Sequence, residues 1–252
     1  MKQSAKYLIL WLVALALTAP ACVMVDSGTG FESSHGQDVV IGSGRLIFVS
    51  FGFREFSRIS LSHSFKATIR KSSMYSVKVE IDDNIQPYLQ AHQSGNTITI
   101  GLDDNSYKNV TVNVTIETPD VVYIESSGAG SVTFDGFDLD HDIQIVGSGA
   151  SSFNGTLTAR TVTFNLSGSS AVDLIGGADD LNVYGTGATQ LALFDFPVKR
   201  CSVNMTGGSV SNVRVSENLE ISLTGGSVLR YMGSPSTRIV TVTGGSVIQK
   251  VG

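Results

Sequence analysis

The chain has 252 residues, 42% of them hydrophobic, which is ample for a buried core. Its 17 basic and 22 acidic residues give a net charge of −5, and this mildly acidic balance argues against nucleic acid or anionic lipid as a partner. Two cysteines, Cys22 and Cys201, are too few for a disulfide framework.

Residues 1–22 read as an export signal. Lys2 and Lys6 form a basic start, and the apolar run 7–17 is 11 residues long. That is too short to span a bilayer as a helix. Thr18-Ala19-Pro20-Ala21-Cys22 resembles a bacterial lipobox, with Ala19 where Leu is usual. Cys22 is therefore expected to become the lipidated first residue of an outer-membrane-anchored protein, facing the periplasm or the exterior. Ordinary cleavage after Ala21 is the alternative. Loss of Lys2 and Lys6 would leave 15 basic and 22 acidic residues, and loss of Trp11 would leave no tryptophan. Residues 23–38 are rich in Gly, Ser and polar side chains and read as a flexible tether.

Residues 39–120 read as an irregular β-rich half. Ile59-Ser60-Leu61, Ala67-Thr68-Ile69-Arg70, Val77-Lys78-Val79-Glu80-Ile81, Thr97-Ile98-Thr99-Ile100 and 110–116 alternate with period two. Asp82-Asp83-Asn84, Ser94-Gly95-Asn96 and Asp103-Asp104-Asn105 separate them as turns, which are expected to be solvated.

Residues 121–252 repeat. A Ser/Thr-Gly turn recurs at Gly128, Gly149, Gly168, Gly187, Gly207, Gly225 and Gly244, in steps of 18–21 residues. Such a period predicts a parallel β-helix or β-solenoid of about seven coils. Four places before the glycines lie Ile124, Ile145, Phe164, Val183, Val203, Ile221 and Val240. Six places before lie Val122, Ile143, Val162, Leu181, Cys201, Leu219 and Arg238. Three or four places after lie Val132, Phe153, Val172, Leu191, Val210, Val228 and Val247. Stacked in register, these mostly apolar positions form inward columns, and Cys201 becomes a buried, inert thiol. Glycine suits a sharp turn because it adopts positive φ without steric cost.

The order of these motifs resembles the bacterial head GIN domain family, a domain of unknown function named for an autotransporter-adhesin head. The resemblance covers residues 42–251. It rests on Gly42-Ser43-Gly44, Phe56-Ser57-Arg58-Ile59, 77–85, Asn96-Thr97-Ile98-Thr99-Ile100, Ser127-Gly128-Ala129-Gly130-Ser131-Val132, 228–235 and Gly244-Gly245-Ser246-Val247. An Asp often follows the family's Ser-Gly turn; here Ser, Ala or Gln follows instead. The resemblance implies an exported lipoprotein, in keeping with Cys22.

The chemistry-bearing residues are sparse. The repeat turns carry no Asp, which argues against repeat-borne calcium. His35, His63, His92 and His141 are scattered, without metal-ligand spacing, and read as surface or loop residues. Asp138-Leu139-Asp140-His141-Asp142 is the one acidic knot of the repeat half with a histidine beside it, and no basic residue is expected to recur near it in register, so it reads as a solvated loop. Tyr184 and Tyr231 are outward candidates for a sugar platform. No catalytic residue, metal or cofactor is expected. The preferred reading is a non-enzymatic envelope lipoprotein with an adhesin-like binding or scaffold role. It would hold the membrane through its lipid, bind a protein or glycan ligand, and self-associate through an open solenoid end. A polysaccharide-active β-helix enzyme and a passive structural protein are the alternatives.

Overall fold

The structure is a computed structural model that describes residues 39–252. The signal, Cys22, the 23–38 tether and His35 lie outside the described residues. The described residues are nearly all β, with one short 3-10 turn at Gln86–Tyr88, and wind into a β-solenoid of about seven turns.

Each coil contributes to two parallel faces. The first face carries Tyr123–Ser126, Ile143–Gly147, the C-terminal parts of Ser152–Leu166, Ala171–Gly187, Gln190–Gly207 and Val210–Leu223, and then Ser236–Val242. The second carries Ser131–Asp138, the N-terminal parts of the same long strands, Val228–Met232 and Val247–Lys250. Period-two alternation decides which side chains enter. Ile124, Ile145, Phe164, Val183, Val203 and Ile221 are successive partners, and each is fully buried. Each such side chain stabilises the fold by about 1.5–3 kcal/mol.

The corner between the faces explains the glycine period. All seven glycines have positive φ, from +67° at Gly244 to +94° at Gly187. From Gly149 onward, a Cβ on each would lie 2.4–2.7 Å from the carbonyl oxygen of the glycine one coil earlier. Backbone conformation and space thus both require glycine. Two places further on, Ser151, Ser170, Thr189, Ser209 and Ser227 form a buried hydroxyl column. Ser170 donates to the Ser167 carbonyl at 2.8 Å and Ser227 to the Thr224 carbonyl at 3.1 Å, so the hydroxyls satisfy carbonyls that the turn would otherwise strand.

Several column assignments are corrected by the pairing. The inward position after the corner is always four residues past the glycine, so Ser211, Leu229 and Ile248 continue the column of Val132, Phe153, Val172 and Leu191. Val210 and Val228 are only partly buried and Val247 is exposed, because in Thr-Gly-Gly-Ser-Val the valine stands three places past the glycine, on the outward side of the alternation. In the last coil a bulge pairs Ile239, not Val240, with Ile221, and both lie exposed on this terminal coil. Arg238 is exposed, since Thr237 is the partner of Leu219. In the first coil Val121 is buried and Val122 only partly so.

The same rungs continue below residue 121. Arg58–Leu61 pairs in parallel with Tyr123–Ser126 on one side and with Thr97–Leu102 on the other. Lys66–Lys71 likewise lies between Ser131–Asp138 and Val112–Thr118. Rung 58–71 therefore sits between rungs 97–118 and 123–138, out of chain order. Ile98 and Ile59 extend the column of Ile124 and are also fully buried. His63 takes the corner at φ +74°, where the seven later coils use glycine, and a Cβ on Gly128 would lie 2.9 Å from its carbonyl oxygen. Leu46–Phe51 and Ser76–Asp82 continue the second face with antiparallel pairing, as Leu89–Ser94 does the first. They cover the outer edge of rung 97–118.

The Asp82-Asp83-Asn84 turn is no solvated loop. Asp82 is fully buried and accepts from the backbone N–H groups of Gly44 and Thr111, each at 2.7 Å. Asp83 pairs with Arg45, and Asn84 donates to the Ile41 carbonyl at 2.8 Å. This polar triad clamps residues 41–45 to the body.

Candidate functional site

The acidic knot at 138–142 lies at the corner that leads back to the first face, with Lys71, Pro119 and Asp120 around a cleft of about 490 Å³. The structure corrects the view that no basic group recurs beside it. The Asp142 carboxylate accepts from Arg160 Nε at 2.8 Å, one coil on, and that hydrogen bond holds its pKa below the ordinary carboxylate value. His141 Nε2 lies 2.7 Å from Asp120 Oδ1, and Nδ1 lies 3.0 Å from the Asp142 carbonyl oxygen. The carbonyl contact first, then the Asp120 carboxylate, raises the imidazole pKa. With acceptors at both nitrogens, the protonated ring is favoured and has no lone pair free to act as a base. The knot is one end of a charge ladder in which Asp179 meets Lys199 at 2.7 Å, Asp180 meets Arg200 at 2.6 Å and Arg200 meets Glu217 at 3.7 Å. Opposite charges on successive coils relieve the repulsion that like charges in register would create.

The outward side of the first face carries polar side chains in register. Thr163 and Asn182 bond at 3.4 Å, and Thr186 and Thr206 at 3.1 Å. Asn165, Tyr184 and Asn204 are successive partners, and Tyr184 is 48% exposed. With Glu125, Thr186 and Thr206 they border a shallow groove of about 470 Å³. Tyr231, the other aromatic candidate, is partly buried against the core and does not join them.

Cys201 lies between Leu181 and Leu219 and is buried, as its column required. Burial pushes its thiol pKa strongly upward, so the nucleophilic thiolate is disfavoured. His92 is exposed, whereas His63 is half-buried at its corner with Nδ1 3.2 Å from the backbone nitrogen of Leu102. Among the described residues no three metal-ligating side chains converge, and no helix there is long and apolar enough to cross a membrane.

A stack of coils with a polar outward sheet and glycine corners defines a β-solenoid. The chain belongs to the family described as "Putative auto-transporter adhesin, head GIN domain", whose model matches residues 55–235. Solved structures of similar fold include a "putative adhesin" from Bacteroides fragilis NCTC 9343, with 18% identity, a TM-score of 0.76, and coverage of 84% of this chain and all of that one. A "putative adhesin" from Parabacteroides merdae ATCC 43184 has 16% identity and a TM-score of 0.66, over 85% of this chain and all of that one. A "Putative lipid binding protein" from Parabacteroides distasonis ATCC 8503 has 17% identity and the same TM-score, over 85% of this chain and all of that one. No curated protein matches. The family's adhesin description suggests an exported or surface protein, and the solved structures share its fold.

Proposed function

We propose that this protein is a non-enzymatic, adhesin-like binding module held at the outer membrane through lipidated Cys22, with the 23–38 segment as its tether. The observation that carries the reading is the outward first face, where Thr, Asn and Tyr side chains repeat at the coil spacing beside a shallow groove. Such a surface offers hydrogen bonds and one exposed ring to an extended ligand without supplying a reactive group. The pairing of His141 with Asp120, and of Asp142 with Arg160, supports the same reading against catalysis.

Beads coated with the protein should adhere to immobilised glycans or envelope material, and Tyr184→Ala should reduce that adhesion. No adhesion by the unaltered protein to any surface would contradict the module. Lipidation predicts globomycin-sensitive processing that Cys22→Ser abolishes.

Self-association has its own support. At the edge of the last coil, Ile239, Val240 and Val242 are exposed on strand Ser236–Val242, and Val247 on strand Val247–Lys250. A second copy laid against that edge would cover them and pair its strand groups. Sedimentation should show a concentration-dependent dimer that Val240→Lys weakens; a strictly monomeric protein at high concentration would contradict it.

A further inference from the structure

We propose that the cavity bordered by His63, Phe65, Asn105, Tyr107 and Asn109 is a pocket for one neutral sugar ring. The inference rests on the reading of the chain as a binding module and supplies it with a ligand class.

The pocket exists because rung 97–118 differs from the later coils. Its tight corner is replaced by the longer segment 103–111, whose short strand Ser106–Lys108 pairs with Val39–Ile41, and a cavity of about 510 Å³ lies between this segment and the His63 corner. That volume is within the range of small-ligand sites. Lys, Arg, Asp and Glu are absent from its lining, which combines aromatic and aliphatic groups with amides and a serine. A charged ligand would find no counter-ion there. A purely apolar ligand would gain nothing from the amides. A pyranose offers both an apolar C–H face for the rings and hydroxyls for the amides.

The ring positions are fixed from behind. Tyr107 donates its hydroxyl to Asp103 and stands edge-to-face with His63, centroids 6.4 Å apart, and with Tyr88 at 6.1 Å. His63 Nδ1 accepts the backbone N–H of Leu102, so the proton of the neutral imidazole sits on Nε2. Nε2 has no partner among the described residues and is free to donate. The backbone adds a second line of support. Among the described residues only Glu55, His63 and Asn109 are non-glycine residues with positive φ, and two of these three border this cavity. Seven other corners solve the same turn with glycine, so a histidine there serves something other than the turn.

The test uses the full chain and ligand-observed NMR with methyl glucoside, methyl galactoside, methyl N-acetylglucosaminide and, as a charged probe, glucuronate. At least one neutral glycoside should bind, and glucuronate should bind at least tenfold more weakly. His63→Gly should weaken binding about tenfold, the effect of one lost hydrogen bond and ring contact. Its melting temperature should change little, because the glycine used by the other corners offsets loss of the hydrogen bond from Leu102 N–H to Nδ1. Tyr107→Ala should also weaken binding. Failure of every neutral glycoside to bind, equal binding of glucuronate, or unaltered binding by His63→Gly would overturn the proposal. If glycoside binding is unaltered in His63→Gly while Tyr184→Ala reduces bead adhesion, the pocket reading fails and the module reading stands. If glycosides bind but the unaltered protein adheres to nothing, the module reading fails instead.

Discussion

The repeat half and the N-terminal half are built from the same rung, laid down in different orders. From residue 123 onward each rung stacks on the one before it in the chain, and the inward columns of the two faces meet their counterparts in the next coil, with bulges confined to the stretches between them and to the last coil. In the N-terminal half the chain lays down rung 58–71, returns through antiparallel strands, adds rung 97–118 on the outer side, and only then starts the repeat on the inner side. In-order stacking makes each corner answer to the corner beneath it, which leaves glycine as the only fit. Out-of-order stacking places a loop beside one corner, and there a histidine side chain has room.

The deepest test of the in-order stack is Phe164→Ala. Its ring is fully buried between Ile145 and Val183, so the variant should lose about 3–5 kcal/mol in urea unfolding. Ile239→Ala, at the corresponding position of the exposed last rung, should change stability by less than about 0.5 kcal/mol. Similar losses from both would mean that the terminal rung is as tightly packed as the middle.

The corner rule can be tested on adjacent glycines. Gly207 has φ +79° and a Cβ there would lie 2.6 Å from the Gly187 carbonyl oxygen, whereas a Cβ on Gly208 would meet nothing within 4 Å. Gly207→Ala should cost about 2–3 kcal/mol and Gly208→Ala less than about 0.5 kcal/mol in the same assay. Equal effects would break the distinction between corner and flank.

Cys201 gives a pH dependence of known sign. Its folded-state pKa is raised by burial, so its contribution is fully present below the unfolded thiol value of about 8.5 and is lost as pH rises above it. Unfolding free energy should fall by up to about 1.4 kcal/mol per pH unit there, and Cys201→Ala should remove that component. Native Cys201 should also resist thiol reagents that label it at once after unfolding.

The smallest effect is a gain. Ser211 occupies the apolar column between Leu191 and Leu229, and its hydroxyl has no hydrogen-bond partner. Ser211→Ala should raise stability by about 1 kcal/mol, read as a higher urea midpoint.

The repeat was legible because its corner leaves a chemical signature: glycine recurs, and Ile124 to Ile221 recur four places before it. The columns slipped where the signature changed. In Thr-Gly-Gly-Ser-Val the valine is one place too early to point inward, and Ser211, a polar residue, holds the inward place. The buried hydroxyl column is not legible in the sequence, because serine beside glycine reads as a surface turn. Rung 58–71 was hidden because its corner is His63, although Ile59 and Ala67 stand four places either side, as Ile124 and Val132 do about Gly128. The contacts of Asp142 with Arg160 and of His63 with Tyr107 span 18 and 44 residues, and the rung order that brings them together is a property of stacking rather than of any local motif.

That rung order is the claim on which the pocket depends, and cross-linking tests it most directly. Ser60 is the partner of Thr99 on one side and of Glu125 on the other, whereas Thr99 and Glu125 are two rungs apart, about 10 Å. With cysteine pairs at these positions, Ser60→Cys should cross-link efficiently with both Thr99→Cys and Glu125→Cys, and a short thiol cross-linker should not join Thr99→Cys to Glu125→Cys. Efficient joining of Thr99→Cys to Glu125→Cys without joining of Ser60→Cys to Glu125→Cys would mean that the rungs stack in chain order, and would contradict this account.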